Sequence, residues 1–320
     1  MTPPNRVAGI DCGTNSIRLL IADAHDGRLH DVHREMRVVR LGEGVDATGR
    51  FASGALERTR AALADYAGLL AAHGVSRVRM VATSATRDAA NRDEFFAMTA
   101  QVLSAAVPGA VAEVITGREE AELSFRGAVG ELDSAAGPFI VVDLGGGSTE
   151  LVLGDPVGGV WASYSADIGC VRVTERCLHS DPPTADEIAA ARGLAGELLG
   201  EALRAVPVAQ ARTWVGVAGT MTTLAALAHR LTEYDPEVIH LSRVGFGDLL
   251  AVCDQLIGMA REQRAALGPM HPGRADVIGG GAIVVQELAR ALNRLAGIEE
   301  LVVSEHDILD GIALSIADFD

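Results

Sequence analysis

The 320-residue chain contains no lysine; all 27 of its permanently basic side chains are arginine. Whatever genomic bias produced it, that absence excludes a Walker-type P-loop lysine and a Schiff-base lysine. Arginine is left as the one side chain able to clamp phosphate as a permanent cation. Cysteine is scarce: Cys12, Cys170, Cys177 and Cys253 are scattered without a C-x-x-C pair, so neither a disulfide framework nor a zinc cluster is indicated. Cys12 reads as a small buried thiol, because nothing near it in sequence would depress its pKa. A net charge of −16 leaves no broad cationic surface for nucleic acid or an anionic membrane. The start of the chain lacks a basic-then-apolar signal pattern, and the longest uncharged run, Thr213 to Ala228, is too short and too polar to span a bilayer. A soluble, cytoplasmic protein is therefore expected. Neither H-E-x-x-H nor G-x-S-x-G spacing occurs, which removes the metalloprotease and serine-hydrolase readings.

What is present is a repeated turn. In "VVDLGGGSTELVLG", Val141 to Gly154, three glycines are followed by period-two alternation at Thr149, Leu151 and Leu153, so the turn joins two strands rather than opening a dinucleotide-binding helix. "GIDCGTNSIRLLIA", from Gly9, repeats the plan: Asp11, Gly13 and Ser16 recur as Asp143, Gly145 and Ser148, each 132 positions on. Such Gly-rich turns expose several backbone N–H groups toward one point and bind phosphate oxygens without a cationic side chain. Gly13, Thr14, Asn15 and Ser16 in the first turn, and Gly145, Gly146, Gly147 and Ser148 in the second, are the candidate phosphate binders.

Length sets a prior of two domains. Strands are expected around Val7–Cys12, Ile17–Asp23 and Leu29–Val39, followed by a helix opened by Ser53 and closed by Gly74. "RVRMVAT" and "AEVIT" read as strands, and "NRDEFFAMTAQVLSA" and "REEAELSFRGAV" as helices. The second half restarts with strands around Phe139–Leu144, Thr149–Leu153 and Val160–Ser165. Each half thus opens on a β-meander and passes to αβ alternation, an α/β plan duplicated in two domains with helices on both sheet faces. The boundary is soft, near Ser124 to Gly137, and a cleft between the halves is the expected ligand site.

Several residues could carry chemistry. In "TGREEAELSF", Thr116 and Glu119 form a capping-box pattern, which leaves Glu120, about a hundred degrees round the helix, either to complement the helix dipole or to act as a general base for water. Arg87 follows an apolar strand at a strand-to-helix turn, where it could hold a phosphoryl group bidentately or pair with Asp88 or Asp93. Asp11, Asp143 and Glu150 attach to the two turns. Carboxylates near phosphates suit Mg²⁺ or Mn²⁺, although hydrogen bonds to the turn backbone would also account for them. Gly219 and Thr220 start a helix, with a hydroxyl cap as the simpler role. Arg274 precedes a further glycine cluster, whose glycines serve either close helix packing or ligand approach.

The ordered set "GIDCGTNSIRLL", "ATSATRDAANRDEF", "VITGREEAELSFRG", "VVDLGGGSTELVLG", "VGVAGTMTTLAAL" and "GRADVIGGGAIV" resembles the exopolyphosphatase/guanosine pentaphosphate phosphatase family over nearly the whole chain, most closely its short, two-domain actinobacterial type. The resemblance implies the actin, Hsp70 and sugar-kinase superfold: domain I over 1–125 with the C-terminal helix, 305–320, packed back on it, and domain II over 126–304. It implies a hydrolase that releases orthophosphate from the end of inorganic polyphosphate, short chains in particular, with the two turns holding phosphoryl groups. Arg87 would hold the terminal group, Glu120 would be the base, Asp143 and Glu150 with their counterpart Asp11 would surround Mg²⁺ or Mn²⁺, and Arg274 would lie near the substrate. A homodimer is a family expectation. Guanosine penta- and tetraphosphate are further ligands, and a guanosine pentaphosphate 5′-phosphohydrolase is the nearest alternative. A kinase of the same superfold and a non-catalytic nucleotide-binding switch module are others. Where many relatives carry an arginine after the last strand, this chain has Leu309 and Asp310, which leaves no arginine there to touch substrate.

Overall fold

The computed structural model describes residues 5–14, 16–43, 45–82, 86–87 and 89–319. The chain divides into two compact units, one made of residues 1–127 with 308–320 and the other of 128–307.

The first unit holds a five-stranded sheet in the order β3-β2-β1-β4-β5. Its strands are β1 (Arg6–Cys12), β2 (Ser16–His25), β3 (Arg28–Val38), β4 (Arg77–Ala82) and β5 (Ala112–Val114). β1, β2 and β3 form the antiparallel meander, and β4 and β5 extend the sheet in parallel. β1 is a near-continuous apolar run because it is buried on both faces. On one face Ala8, Ile10, Ile17, Leu19 and Met80 pack with residues of α1 (Ser53–Ala72) and α2 (Arg92–Leu103). On the other, Val7, Leu20 and Val81 meet α9 (Ile308–Leu314), which lies beside α3 (Gly117–Val129). Glycine permits both approaches: a Cβ at Gly9 would lie 2.9 Å from Leu309 O, and one at Gly311 would lie 1.9 Å from Leu123 O.

The second unit repeats the plan and adds to it. Its six strands run β10-β11-β9-β6-β7-β8, with β6 (Phe139–Leu144), β7 (Thr149–Asp155) and β8 (Gly159–Ala166) as the meander. β9 (Thr213–Val217) and β11 (Glu300–Val303) lie parallel to β6, and β10 (Ser242–Gly245) pairs antiparallel to β11 at the edge. Around Trp214, fully buried, pack α4 (Cys170–Cys177), α5 (Ala185–Ala205), α6 (Ala218–Ala228), α7 (Phe246–Gly258) and α8 (Ile278–Ala296). The glycines of α8 serve close packing: a Cβ at Gly280 would lie 2.5 Å from Thr174 Oγ1 on α4, and one at Gly281 would lie 2.7 Å from Thr220 on α6.

Candidate active site

The two turns close in the same way. Gly13 N–H donates to Ser16 O, and Gly145 N–H to Ser148 O, each at 3.0 Å. Both are braced from behind by neighbouring chain. Gly42 N–H donates to Thr14 O at 2.8 Å, while Cys170, Val171 and Arg172 at the start of α4 donate to the carbonyls of Gly145 and Gly146 at 2.9–3.1 Å. Helix donors that would otherwise lack partners thus hold the second turn's backbone. Asn15, assigned to the first turn, lies outside the described residues.

The acids differ between the copies. Asp11 is directly opposite Arg18 in the β1–β2 register, and Arg18 donates from Nε and Nη2 to Asp11 Oδ2 at 3.0 and 2.7 Å. Asp143 is directly opposite Glu150 in the β6–β7 register. Opposed residues share a sheet face at close Cβ separation, and like charges so placed destabilise the pair. Ser165 Oγ on β8 donates to Glu150 Oε1 at 2.8 Å. Two hard oxygen ligands at opposed register positions fit a divalent cation. Asp11, already offset by Arg18 and almost fully buried, is a poorer ligand than either.

The first unit also joins Arg87 to Glu120. Arg87 Nη1 donates to Glu120 Oε2 at 3.0 Å and to Ile115 O at 2.9 Å, and both charged side chains are about one-third exposed. Only half of the expected capping box forms. Glu119 N–H donates to Thr116 Oγ1 at 3.2 Å, but the Glu119 carboxylate accepts from Arg79 Nη2 on β4 at 2.6 Å instead of turning back to the cap. Arg79 in turn reaches Glu113 and donates to Ser315 Oγ at 2.8 Å, so the start of α3 is pinned to the sheet one residue before Glu120.

In the second unit Arg274 donates to Thr223 Oγ1 at 3.2 Å, with its guanidinium laid over Gly219, where a Cβ would come within 2.1 Å of Cζ. The adjacent Ala218 holds φ +70°, a left-handed conformation that costs a non-glycine residue energy and is concentrated at functional turns. Arg172 was not singled out from sequence. Its Nη2 would lie 3.7 Å from a Cβ on Gly147, beside the second turn, and it pairs with Asp167. The only sequence signal was an arginine in the first turn of the helix that follows the meander. Leu309 and Asp310 are buried in the first unit, where Asp310 pairs with Arg34 of β3. Burial raises the Cys12 thiol far above its usual range, as does the charge of Asp11, so it is no nucleophile. All four cysteines are unpaired.

A sequence profile described as the Ppx/GppA phosphatase family matches residues 20–316. The chain is 72% identical, over 316 residues and 98% of each chain, to a Mycobacterium tuberculosis protein named Exopolyphosphatase 2. It is 28% identical to an Aeromonas salmonicida guanosine-5′-triphosphate,3′-diphosphate pyrophosphatase, over 95% of this chain and 58% of the other. A crystal structure of an Aquifex aeolicus member of the Ppx/GppA protein family superposes with a TM-score of 0.84 at 32% identity, covering 98% of this chain and 97% of that one. The duplicated two-sheet α/β architecture is consistent with the actin-like ATPase fold, and a Neospora caninum nucleoside triphosphate hydrolase shares it at a TM-score of 0.54 and 12% identity.

Proposed function

The chain belongs to the Ppx/GppA phosphatase family, and from that premise we propose that it is an exopolyphosphatase, hydrolysing the terminal phosphoanhydride of inorganic polyphosphate. The observation that carries the mechanism is the Arg87–Glu120 contact at 3.0 Å. It places a solvent-reachable carboxylate beside a guanidinium whose five donors suit phosphoryl oxygens. Glu120 takes a proton from water as the water oxygen attacks the terminal phosphorus in line. The bridging P–O bond breaks, orthophosphate leaves, and the electron pair stays on the shortened chain. Arg87 and the backbone N–H groups of the two turns bind phosphoryl oxygens, and Arg274 and Arg172 add charge by their turns. Phosphoryl transfer asks the protein mainly for such positioning and charge neutralisation. Asp143 and Glu150 fit a Mg²⁺ or Mn²⁺ ion, which when bound would offset phosphate charge.

A guanosine pentaphosphate 5′-phosphohydrolase is the second reading, favoured by the Aeromonas salmonicida relative. No described helix is long and apolar enough to cross a membrane; a cytoplasmic homodimer completes the proposal and is read out by sedimentation. The deciding experiment measures orthophosphate release, with Mg²⁺ present, from short polyphosphate, long polyphosphate, guanosine pentaphosphate and ATP. Release from polyphosphate that disappears in Glu120→Gln supports the proposal. Release from the guanosine nucleotide alone moves the assignment to the second reading. Tight ATP binding without phosphate release from any substrate favours a nucleotide-driven switch.

A further inference from the structure

Apart from the turns and the Arg87–Glu120 pair, Glu131, His240 and His306 bring one carboxylate and two imidazoles together in the second unit. Their ligand atoms all lie within 4.8 Å of one another, and no other such trio occurs among the described residues. The sheet builds this cluster. β10 runs antiparallel to β11 with Ser242 opposite Val303, and Leu241 N–H donates to Val303 O at 2.7 Å. The residue entering β10 therefore lies beside the residues leaving β11, and Glu305 N–H reaches His240 Nδ1 at 3.2 Å. Buried Ser304 accepts from His306 N–H at 3.1 Å and donates to His306 O at 3.0 Å, which fixes the backbone of that turn. Glu131 Oε1 approaches His306 Nδ1 at 3.2 Å and His240 Nε2 at 3.8 Å, with the rings 4.2 Å apart between centroids.

We propose that Glu131, His240 and His306 form a binding site for a divalent transition metal of the zinc class, on residues different from those suited to Mg²⁺. Two imidazole nitrogens and one carboxylate oxygen match Zn²⁺, Co²⁺ or Ni²⁺, whereas Mg²⁺ prefers oxygen alone. The three side chains are 20–25% exposed, so an ion can enter and water can take the fourth position of a tetrahedron. Loading makes one demand. A metal on His240 Nε2 puts the ring proton on Nδ1, so the Glu305 N–H contact there must open.

The test is equilibrium dialysis of the full chain against Zn²⁺ in excess Mg²⁺. One ion should bind per wild-type chain, and binding should weaken roughly tenfold or more in His306→Ala and in Glu131→Gln at unchanged circular dichroism. Glu150→Gln should bind Zn²⁺ as the wild type does. Co²⁺ loading of the wild type gives a readout that needs no variant: visible d–d bands without a thiolate charge-transfer band. No stoichiometric Zn²⁺, displacement by Mg²⁺, a thiolate band, or full binding by folded His306→Ala would each overturn the site.

Discussion

The two Gly-rich turns share one hydrogen-bonded closure and one aspartate, yet opposite charges stand across from that aspartate. Arg18 and Glu150 occupy equivalent register positions, so the first copy neutralises its own carboxylate while the second sets two carboxylates face to face. A duplicated backbone has thus been given two electrostatic tasks. The first unit carries an Asp11–Arg18 ion pair and, at the start of α3, Glu120 paired with Arg87; the second sets two acids at opposed register positions. The helix starts diverge likewise. Thr184 and Glu187 close a full capping box on α5, whereas in the same pattern on α3 Glu119 is diverted to Arg79.

The strongest way to sharpen this contrast is to neutralise the acid proposed as the base. Glu120→Gln should lower phosphate release from polyphosphate by ~10²–10⁴-fold with the fold intact; more than half the wild-type rate would remove Glu120 as the base. Rewriting the first turn in the image of the second comes next. Arg18→Glu leaves buried Asp11 facing a like charge and should cost about 3–5 kcal/mol in urea unfolding, and a variant as stable as the wild type would show that the pair is not structural. The reverse exchange, Glu150→Arg, should weaken the Mg²⁺ dependence of activity by roughly tenfold or more. Without metal it should stabilise the chain slightly, by ~0.2–1 kcal/mol, as the like-charge pair disappears.

The smallest effect separates the two caps. Hydrogen bonds, first from the Thr184 backbone N–H and then from Ser180 and His179, hold the Glu187 carboxyl down to about 2. A folded pKa below the unfolded one gives stability that is complete above the usual glutamate range and is lost as pH falls through about 2. Glu187→Gln should therefore flatten acid unfolding between about pH 4.5 and 2 relative to wild type. An unchanged acid limb would mean that the box does not contribute.

Much of this architecture was legible because its signals are local. The alternation after Gly147, the apolar runs of β1 and β6, and the spaced Asp-Gly-Ser sets each depend on a few neighbouring residues, and the strand plan follows them closely. Glu120 could be separated from its neighbour because helical geometry turns successive residues to different faces. Less visible were the partners. That Glu119 leaves its cap depends on Arg79, forty residues away on β4. That Arg172 flanks the second turn depends on where α4 docks, and β10 is a short edge strand, Ser-Arg-Val-Gly, without apolar alternation to announce it.

By itself, the sequence determined the duplicated α/β plan, the two Gly-rich turns, the absence of lysine chemistry and the roster of acids and arginines, since each is written in residue type and short-range spacing. Only the tertiary structure decided which of those charges cancel and which accumulate. Pairing Asp11 with Arg18, Asp143 with Glu150, and His240 with His306 and Glu131 depends on strand register and on chain segments far apart in sequence. Coulombic and hydrogen-bonding energies are set over a few ångströms of space, and distance along the chain does not report that separation.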